Sequence, residues 1–116
     1  MDERTRLLHE ARQAQDQGRF QAAADALLRA FRGDPTDFRI CREVGRTLHA
    51  AGDLEASVCF LLRAFQAEPA DAATVASLTV LLREMGREEE SSRVLLRALE
   101  QGLEPGQLAL QLQRLS

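Results

Sequence analysis

One tetrapeptide recurs along the chain at a constant interval, and this recurrence limits the fold more than any other feature. Leu-Leu-Arg-Ala begins at Leu27, again at Leu61 and a third time at Leu95. The same interval separates Gly18, Gly52 and Gly86, the alanines Ala30, Ala64 and Ala98, and the prolines Pro35 and Pro69. A fixed period between about 20 and 50 residues is typical of stacked repeats. The chain is therefore predicted to contain three copies of one structural unit.

Each unit is predicted to be a pair of helices. In the middle unit Val44 and Leu48 recur at helical spacing before Gly52, and a glycine just beyond the last apolar position is typical of a left-handed helix C-cap. A second apolar run stops before Pro69, because the residue before a proline is disfavoured in the helical conformation. The turn and the proline therefore mark the ends of two successive helices.

Two aspartates are predicted to cap the helices that follow the prolines. Asp37 and Asp71 lie where a carboxylate can accept the free N–H groups of a helix start. Applied along the chain, the pattern predicts helices over 4–16, 21–32, 38–50, 55–67, 72–84 and 89–101, and a short one from about 107 to the end. No stretch alternates with a period of two, so no strand is expected.

The pattern resembles the tetratricopeptide repeat (TPR), a helix–turn–helix unit of about 34 residues, over nearly the whole chain. The second repeat matches the family with Cys41, Val44, Gly45 and Leu48 in its first helix and with Ser57, Leu61 and Ala64 in its second. Glu10 departs from the pattern, Leu103 replaces the third proline, and the usual aromatic positions hold neither Trp nor Tyr. The resemblance implies an all-α, right-handed superhelical solenoid with repeats at about 4–37, 38–71 and 72–105 and a capping helix at 106–116.

In the TPR family the first helix of each repeat lines a concave face that holds a peptide, so the resemblance implies a protein-binding adaptor or small chaperone. Projection at 100° per residue places nine candidate partner-binding residues on that face: Leu8, Arg12, Arg39, Arg42, Arg46, His49, Ala76, Val80 and Arg83. The arginine cluster would hold carboxylates in bidentate fashion, while Ala76 and Val80 would receive an apolar side chain. The alternative interpretation is that Arg39 and Arg46 pair with Glu43 on an ordinary solvated helix face.

The C-terminal helix offers a second candidate surface. Leu108, Leu112 and Leu115 share one of its faces, and Leu110 lies off that face. Solenoids need a cap at each end, and capping is one interpretation of this helix. The other is that these four leucines form a homodimer or scaffold interface. The chain is also interpreted as either a whole protein or the repeat portion of a longer one.

Composition favours a soluble protein whose partner is another protein. The net charge is −3 and every one of the fifteen basic residues is Arg, which argues against a generic nucleic-acid binder. No apolar run approaches the roughly 18 residues that span a bilayer, and the N-terminus lacks a secretory pattern. We therefore expect a cytoplasmic protein, and arginine without lysine indicates a GC-rich genome, such as a bacterial one.

Catalytic, metal and cofactor chemistry are not expected. His9, His49, Cys41 and Cys59 show no zinc-ligand spacing, and no turn carries a glycine-rich phosphate loop. Both cysteines are predicted to be small buried core residues in the reduced state. The chain is therefore predicted not to be an enzyme.

Overall fold

Seven α-helices follow one another in the computed structural model, which describes residues 2–115. They are α1 (Glu3–Asp16), α2 (Phe20–Gly33), α3 (Phe38–Ala50), α4 (Leu54–Ala67), α5 (Ala72–Glu84), α6 (Glu88–Glu100) and α7 (Pro105–Arg114). No strand occurs within this range. The all-α repeat fold is confirmed, and every predicted helix end lies within two residues of the observed one; the exception is the predicted terminus of the last helix, because Ser116 lies outside the described residues.

The turn inside each repeat depends on a glycine in the left-handed region. Gly18, Gly52 and Gly86 have φ values of 74°, 89° and 76°, which side-chain-bearing residues adopt at a cost. After each glycine the next N–H returns to a carbonyl of the finished helix, as in the 2.9 Å bond from Asp53 N to Leu48 O. The predicted C-cap glycines are confirmed, and each one reverses the chain so that the second helix packs antiparallel on the first.

Aspartate caps begin the helices that carry the first half of each later repeat. Asp37 accepts a 2.9 Å hydrogen bond from the N–H of Arg39, and Asp71 accepts one of 3.1 Å from the N–H of Thr74. Both predicted caps are confirmed. The same device, which the sequence reasoning missed, caps α4 through Asp53 and α1 through Asp2.

The helices form two layers. Side-chain hydrogen bonds connect odd-numbered helices to one another. One example is the 2.7 Å hydrogen bond from Gln15 Nε2 of α1 to the Thr47 hydroxyl of α3. In the even-numbered layer the rings of Phe31 and Phe60 meet edge to face at 5.2 Å. α5 is the most enclosed helix, because α3, α4, α6 and α7 all pack around it, and eight of its thirteen residues are buried.

Close approach of α3 and α4 requires a glycine at position 45. A Cβ atom there would lie 2.6 Å from Leu61 Cγ and 3.2 Å from the Leu61 backbone N. The small residue that the repeat pattern places at position 45 is therefore a packing requirement. The nearest atoms belong to Leu61 and not to Ala64, the small residue of the pattern one turn later on α4. The Ser57 hydroxyl also donates to the Gly45 carbonyl across this contact.

One prediction about burial was wrong. Cys41 is buried, as predicted, but Cys59 is exposed, because it lies one turn after the exposed Glu55 on the same side of α4. In the recurrent tetrapeptide Leu27 and Leu61 are fully buried, whereas Leu95 is only half-buried. The difference arises because α6 is covered on fewer sides than α2 and α4.

Candidate functional site

Two hollows lie along the face of α1, α3, α5 and α7 that turns away from the even-numbered helices, called here the odd-helix face. The proximal hollow, of about 360 Å³, lies between α1 and α3, and its lining includes Leu8, Arg12, Leu27, Arg39, Ile40 and Arg42. The distal hollow, of about 480 Å³, lies between α3, α5 and α7, and its lining includes Arg42, Arg46, Ala73, Ala76, Gln111 and Arg114. Arg42 lines both hollows. The helical projection therefore selected residues that share a face, but the face has two compartments.

The distal hollow has a floor of small side chains and walls of long polar ones. Ala73, Ala76 and Ser77 of α5 form the floor, and Ala76 is buried. Arginines of α3 form one wall, while Gln111 and Arg114 of α7 contribute to the other. The hollow exists because these α5 positions carry small side chains, and a large residue at position 76 would fill it.

Arg42 is held in place by the following repeat. Its Nη1 lies 2.8 Å from Asp71 Oδ2, and its Nε lies 3.6 Å from Glu43 Oε1. That Nε is buried and donates no hydrogen bond within residues 2–115. Most of the side chain is covered, so Arg42 forms a link between α3 and the start of α5.

The carboxylate of Asp71 serves both the helix cap and this link. Besides Arg42, it accepts hydrogen bonds from the Thr74 hydroxyl at 2.6 Å and from the Thr74 N–H at 3.1 Å. Burial alone would raise the pKa of Asp71, but the Thr74 and Arg42 donors outweigh it and hold that pKa below its usual value. Asp71 is therefore ionised and fully engaged at neutral pH.

Arg46 and Arg39 behave differently from Arg42. Arg46 is exposed and its Nη1 lies 3.4 Å from Glu43 Oε1, which is the pairing expected from a solvated helix face. Arg39 makes no ion pair within the described part of the chain; its guanidinium lies 5.7 Å from the centre of the Phe38 ring. The pairing with Glu43 that the alternative interpretation expects is therefore present for Arg46 and absent for Arg39 among the described residues.

Three other candidate residues lie outside the two hollows. His49 Nε2 lies 2.8 Å from Glu84 Oε2 and joins the ends of α3 and α5. Val80 is half-buried and Arg83 is exposed, and neither contributes to the lining of either hollow. Of the third-repeat candidates, only Ala76 lies at a hollow.

The contribution of α7 to the distal hollow was missed by the sequence reasoning. Gln107, Gln111 and Arg114 follow Ala73, Ser77 and Val80 by one repeat length, and the first two of those α5 residues also line the hollow. The repeat phase could therefore have found them, had the last helix been treated as the first helix of a fourth repeat.

The four leucines of the predicted oligomer interface have separate environments. Leu108 is buried and packs against α5, and Leu112 is half-buried against the same core. Leu115 lines the distal hollow, and Leu110 is 50% exposed. Capping of the core by α7 accounts for the first two residues and not for the others.

The linings of both hollows hold more arginines than acidic residues, although the chain is acidic. Three arginines and one aspartate line the distal hollow, and four arginines and one glutamate line the proximal hollow. The whole chain carries a net charge of −3. Because the low-dielectric walls of a cleft focus its field, such hollows attract anionic groups.

Metal binding has no candidate site within residues 2–115. No group of three or more His, Cys, Asp and Glu side chains lies close enough together there to hold a metal ion. In the same range, no helix has the length and apolar character needed to cross a membrane.

Comparison with solved structures identifies the architecture. A mutant of MamA superimposes with a TM-score of 0.74 at 17% identity, over 86% of this chain and 73% of that one. MamA from AMB-1 gives 0.69 at 20% identity, over 86% and 55%, and a further MamA crystal structure gives 0.69 at 19% identity, over 78% and 49%. The chain thus spans about half the length of the last two. No protein-family model and no curated protein matches the sequence, so the likeness establishes the helical-repeat fold.

Proposed function

We propose that the chain is a TPR-type protein-interaction module whose odd-helix face binds an acidic segment of another protein. The observation that carries the proposal is the positive lining of both hollows in a chain that is acidic as a whole. Its fold is shared with MamA, and an adaptor or scaffold role in the cytoplasm is part of the proposal. No catalytic step and no cofactor is included.

The distal hollow suits a carboxylate-bearing stretch of main chain. Its floor of Ala73, Ala76 and Ser77 leaves room for a peptide backbone to lie close to α5. Arg46 and Arg114 stand on opposite walls, where planar guanidinium groups can take carboxylates in bidentate fashion. Side-chain amides such as that of Gln111 can donate to and accept from the peptide main chain.

Arg46 must leave Glu43 to bind a partner, and the cost of this is small. The Arg46 side chain is 44% exposed and the Glu43 side chain is 34% exposed. An exposed ion pair of this kind contributes about 0–1 kcal/mol. A partner carboxylate in the desolvated hollow can offset that loss. Arg42, by contrast, is bound to Asp71. Its proposed role is to hold the α3 wall of the distal hollow in position and to contribute positive charge there.

The proximal hollow is proposed to receive an apolar residue of the same segment. Leu8 is half-buried and contributes apolar surface there, while Leu27 and Ile40 lie buried at its base and Arg12 and Arg39 lie at its edge. This assignment moves the apolar anchor toward the N-terminal repeat, whereas the sequence pattern placed it at Ala76 and Val80. The preferred ligand is therefore a segment with one apolar residue and acidic residues toward the end that reaches α7.

Peptide selection followed by NMR mapping tests the proposal. A library of random dodecapeptides is selected on the immobilised chain, and the enriched peptide is titrated into ¹⁵N-labelled protein. We expect enrichment of Asp and Glu, with the largest amide shifts on α3, α5 and α7. Enrichment without acidic bias, or shifts confined to α2, α4 and α6, would contradict the proposal.

A further inference from the structure

The C-terminal end of the stack carries an apolar surface that the proposed peptide site does not use. Within residues 2–115, every exposed large apolar side chain lies between Leu96 and Leu115. Leu115 lines the distal hollow, but Leu96 and Leu99 of α6 and Leu110 of α7 line neither hollow. Their exposed fractions are 61%, 40% and 50%. These three leucines are called here the end patch.

The repeat itself shows what the α6 part of the end patch is built to do. Leu96 and Leu99 follow Leu62 and Phe65 by one repeat length, and those follow Leu28 and Phe31 by the same interval. At both earlier places this pair packs on the next repeat, as where the Phe31 ring meets Phe60. In the third repeat the equivalent pair is exposed, because α7 packs mainly against α5. The α6 part of the end patch thus occupies the position of a stacking surface and is left uncovered within residues 2–115.

The opposite end of the molecule does not complement the end patch. α1 and α2 hold no exposed large apolar side chain, and the outward positions of α1 carry residues such as Glu10 and Gln13. Head-to-tail stacking of two copies would press leucines against charged and amide groups, which costs free energy through desolvation. Pairing of the end patch with itself across a two-fold axis buries leucine against leucine and closes the assembly.

The charges on α6 fit that two-fold arrangement. At 100° per residue, Glu89, Arg93 and Glu100 project on one side of Leu96, and Leu99 projects on the other. A two-fold axis perpendicular to α6 and passing between positions 96 and 97 makes the two copies of the helix antiparallel. It sets Arg93 opposite Glu100 of the second copy, and the symmetry repeats the pair. Both side chains are exposed, and the 3.7 Å contact of Arg93 with the exposed Glu89 is weak enough to be shared or exchanged.

The available area indicates a small interface. The molecule measures 39 × 24 × 22 Å, and the two shorter dimensions match one helix length and two helix layers. The end of the stack therefore offers a flat projection on the order of 500 Å², near the lower limit of stable interfaces, which bury about 800 Å² of accessible surface per partner. Interfaces at this low end of the size range are typical of weak, transient association.

From these observations we infer that the chain forms a two-fold dimer by antiparallel pairing of α6, with Leu96, Leu99 and Leu110 at the contact. This interaction goes beyond the proposed peptide site and leaves both hollows open. It also differs from the interface predicted from the sequence, because Leu108 and Leu112 belong to the core of each copy. α6, which the sequence reasoning did not consider for assembly, supplies the central contact.

Sedimentation velocity over a range of about 1–300 µM tests the dimer. The wild-type chain is expected to pass from monomer to dimer, and the Leu96→Glu/Leu99→Glu variant to stay monomeric with unchanged helical circular dichroism. Leu115→Glu is the matched control, since it makes the same change at an exposed leucine that faces the distal hollow; it should dimerise like the wild type. A wild-type chain that is monomeric throughout, or a double variant that dimerises normally, overturns the inference.

A charge swap tests the two-fold geometry. Arg93→Glu should weaken dimerisation roughly tenfold, because it replaces two symmetric attractions by two repulsions. Arg93→Glu/Glu100→Arg should restore wild-type affinity to within about threefold, since the reversed pair is again complementary. No recovery in the double variant refutes the antiparallel pairing. Peptide binding by the Leu96→Glu/Leu99→Glu monomer is measured in parallel, so that failure of the dimer and failure of the peptide site give different results.

Discussion

Replacing Gly45 by alanine sets two physical effects of opposite sign against each other. Alanine is favoured over glycine inside a helix by about 1 kcal/mol, so the substitution would stabilise an isolated α3. In the folded protein the new methyl group would lie 2.6 Å and 2.9 Å from Leu61 side-chain atoms and 3.2 Å from the Leu61 backbone N. Leu61 is fully buried, so either its side chain must change conformation within the core or α3 and α4 must separate.

Overpacking of this kind costs about 1–3 kcal/mol, and contact with backbone as well as side chain places Gly45→Ala in the upper part of that range. After the gain in helix propensity, we expect a net loss of about 1–2 kcal/mol. For a chain of this size that corresponds to a fall in Tm of about 4–8 °C. Thermal unfolding followed by circular dichroism and calorimetry measures both quantities.

Gly33→Ala is the matched control, because Gly33 ends α2 and a Cβ there meets nothing within 4 Å. Its Tm should stay the same or rise by up to about 4 °C. The variant Gly45→Ala/Leu61→Ala isolates the contact. Leu61→Ala alone should cost about 2–5 kcal/mol, and the double variant should cost about 1–2 kcal/mol less than the sum of the two. A rise in Tm for Gly45→Ala equal to that of Gly33→Ala would refute the close packing of α3 on α4.

Two further predictions concern titration and reactivity. Because the folded pKa of Asp71 lies below its unfolded value, its stabilising contribution is complete above pH ~4 and disappears as the pH falls through the folded pKa. Tm of the wild type should therefore drop more steeply between about pH 5 and 3 than Tm of Asp71→Asn, and equal slopes would contradict the lowered pKa that Thr74 and Arg42 give Asp71. Native-state alkylation should modify the exposed Cys59 quickly and leave Cys41 unmodified until unfolding, since burial both covers Cys41 and raises the pKa of its thiol; mass spectrometry that finds both thiols labelled at one rate would refute this difference.

Local signals explain why the helices could be predicted from the sequence. A left-handed glycine such as Gly52 and a capping aspartate such as Asp37 act within one turn of their own position, so the residues alone determine them. The constant repeat interval then indicated which helix of each repeat lines the concave face. It also placed a small residue at position 45. These parts of the fold needed no knowledge of contacts between repeats.

Contacts between repeats explain what could not be predicted. Arg42 was grouped with Arg39 and Arg46 because all three share a helix face, but Arg42 is bound to Asp71, 29 residues away. The projection of one helix contains no information on that carboxylate. For the same reason, the two compartments of the odd-helix face depend on how α1 and α7 pack against their neighbours.

The last repeat departs from the regular spacing at its C-terminal turn. α6 ends at Glu100, one residue earlier than the period predicts, and Gly102 with φ of 100° replaces the earlier Pro-containing turn. α7 consequently begins at Pro105 and presents Arg114 to the distal hollow. α7 nonetheless keeps the repeat phase, because Gln107 and Gln111 line the distal hollow as Ala73 and Ser77 do one repeat length earlier.

The affinity of an acidic dodecapeptide, taken from the library selection, tests the central claim most directly. Its binding is compared by fluorescence anisotropy in the wild type, in Arg46→Glu/Arg114→Glu and in the control Arg29→Glu/Arg32→Glu. The control carries the same charge change on α2, which does not line the distal hollow. Arg42 is left intact because its loss would also disturb Asp71.

Two charge contacts that become repulsions should weaken binding of the acidic peptide by about ten- to a hundredfold. The control should bind within about twofold of the wild type, because distant exposed charges are largely screened at physiological salt. A peptide with its Asp and Glu replaced by Lys should in turn bind the Arg46→Glu/Arg114→Glu variant better than it binds the wild type. Equal affinity of the acidic peptide for all three proteins would contradict the proposal that the odd-helix face recognises acidic segments.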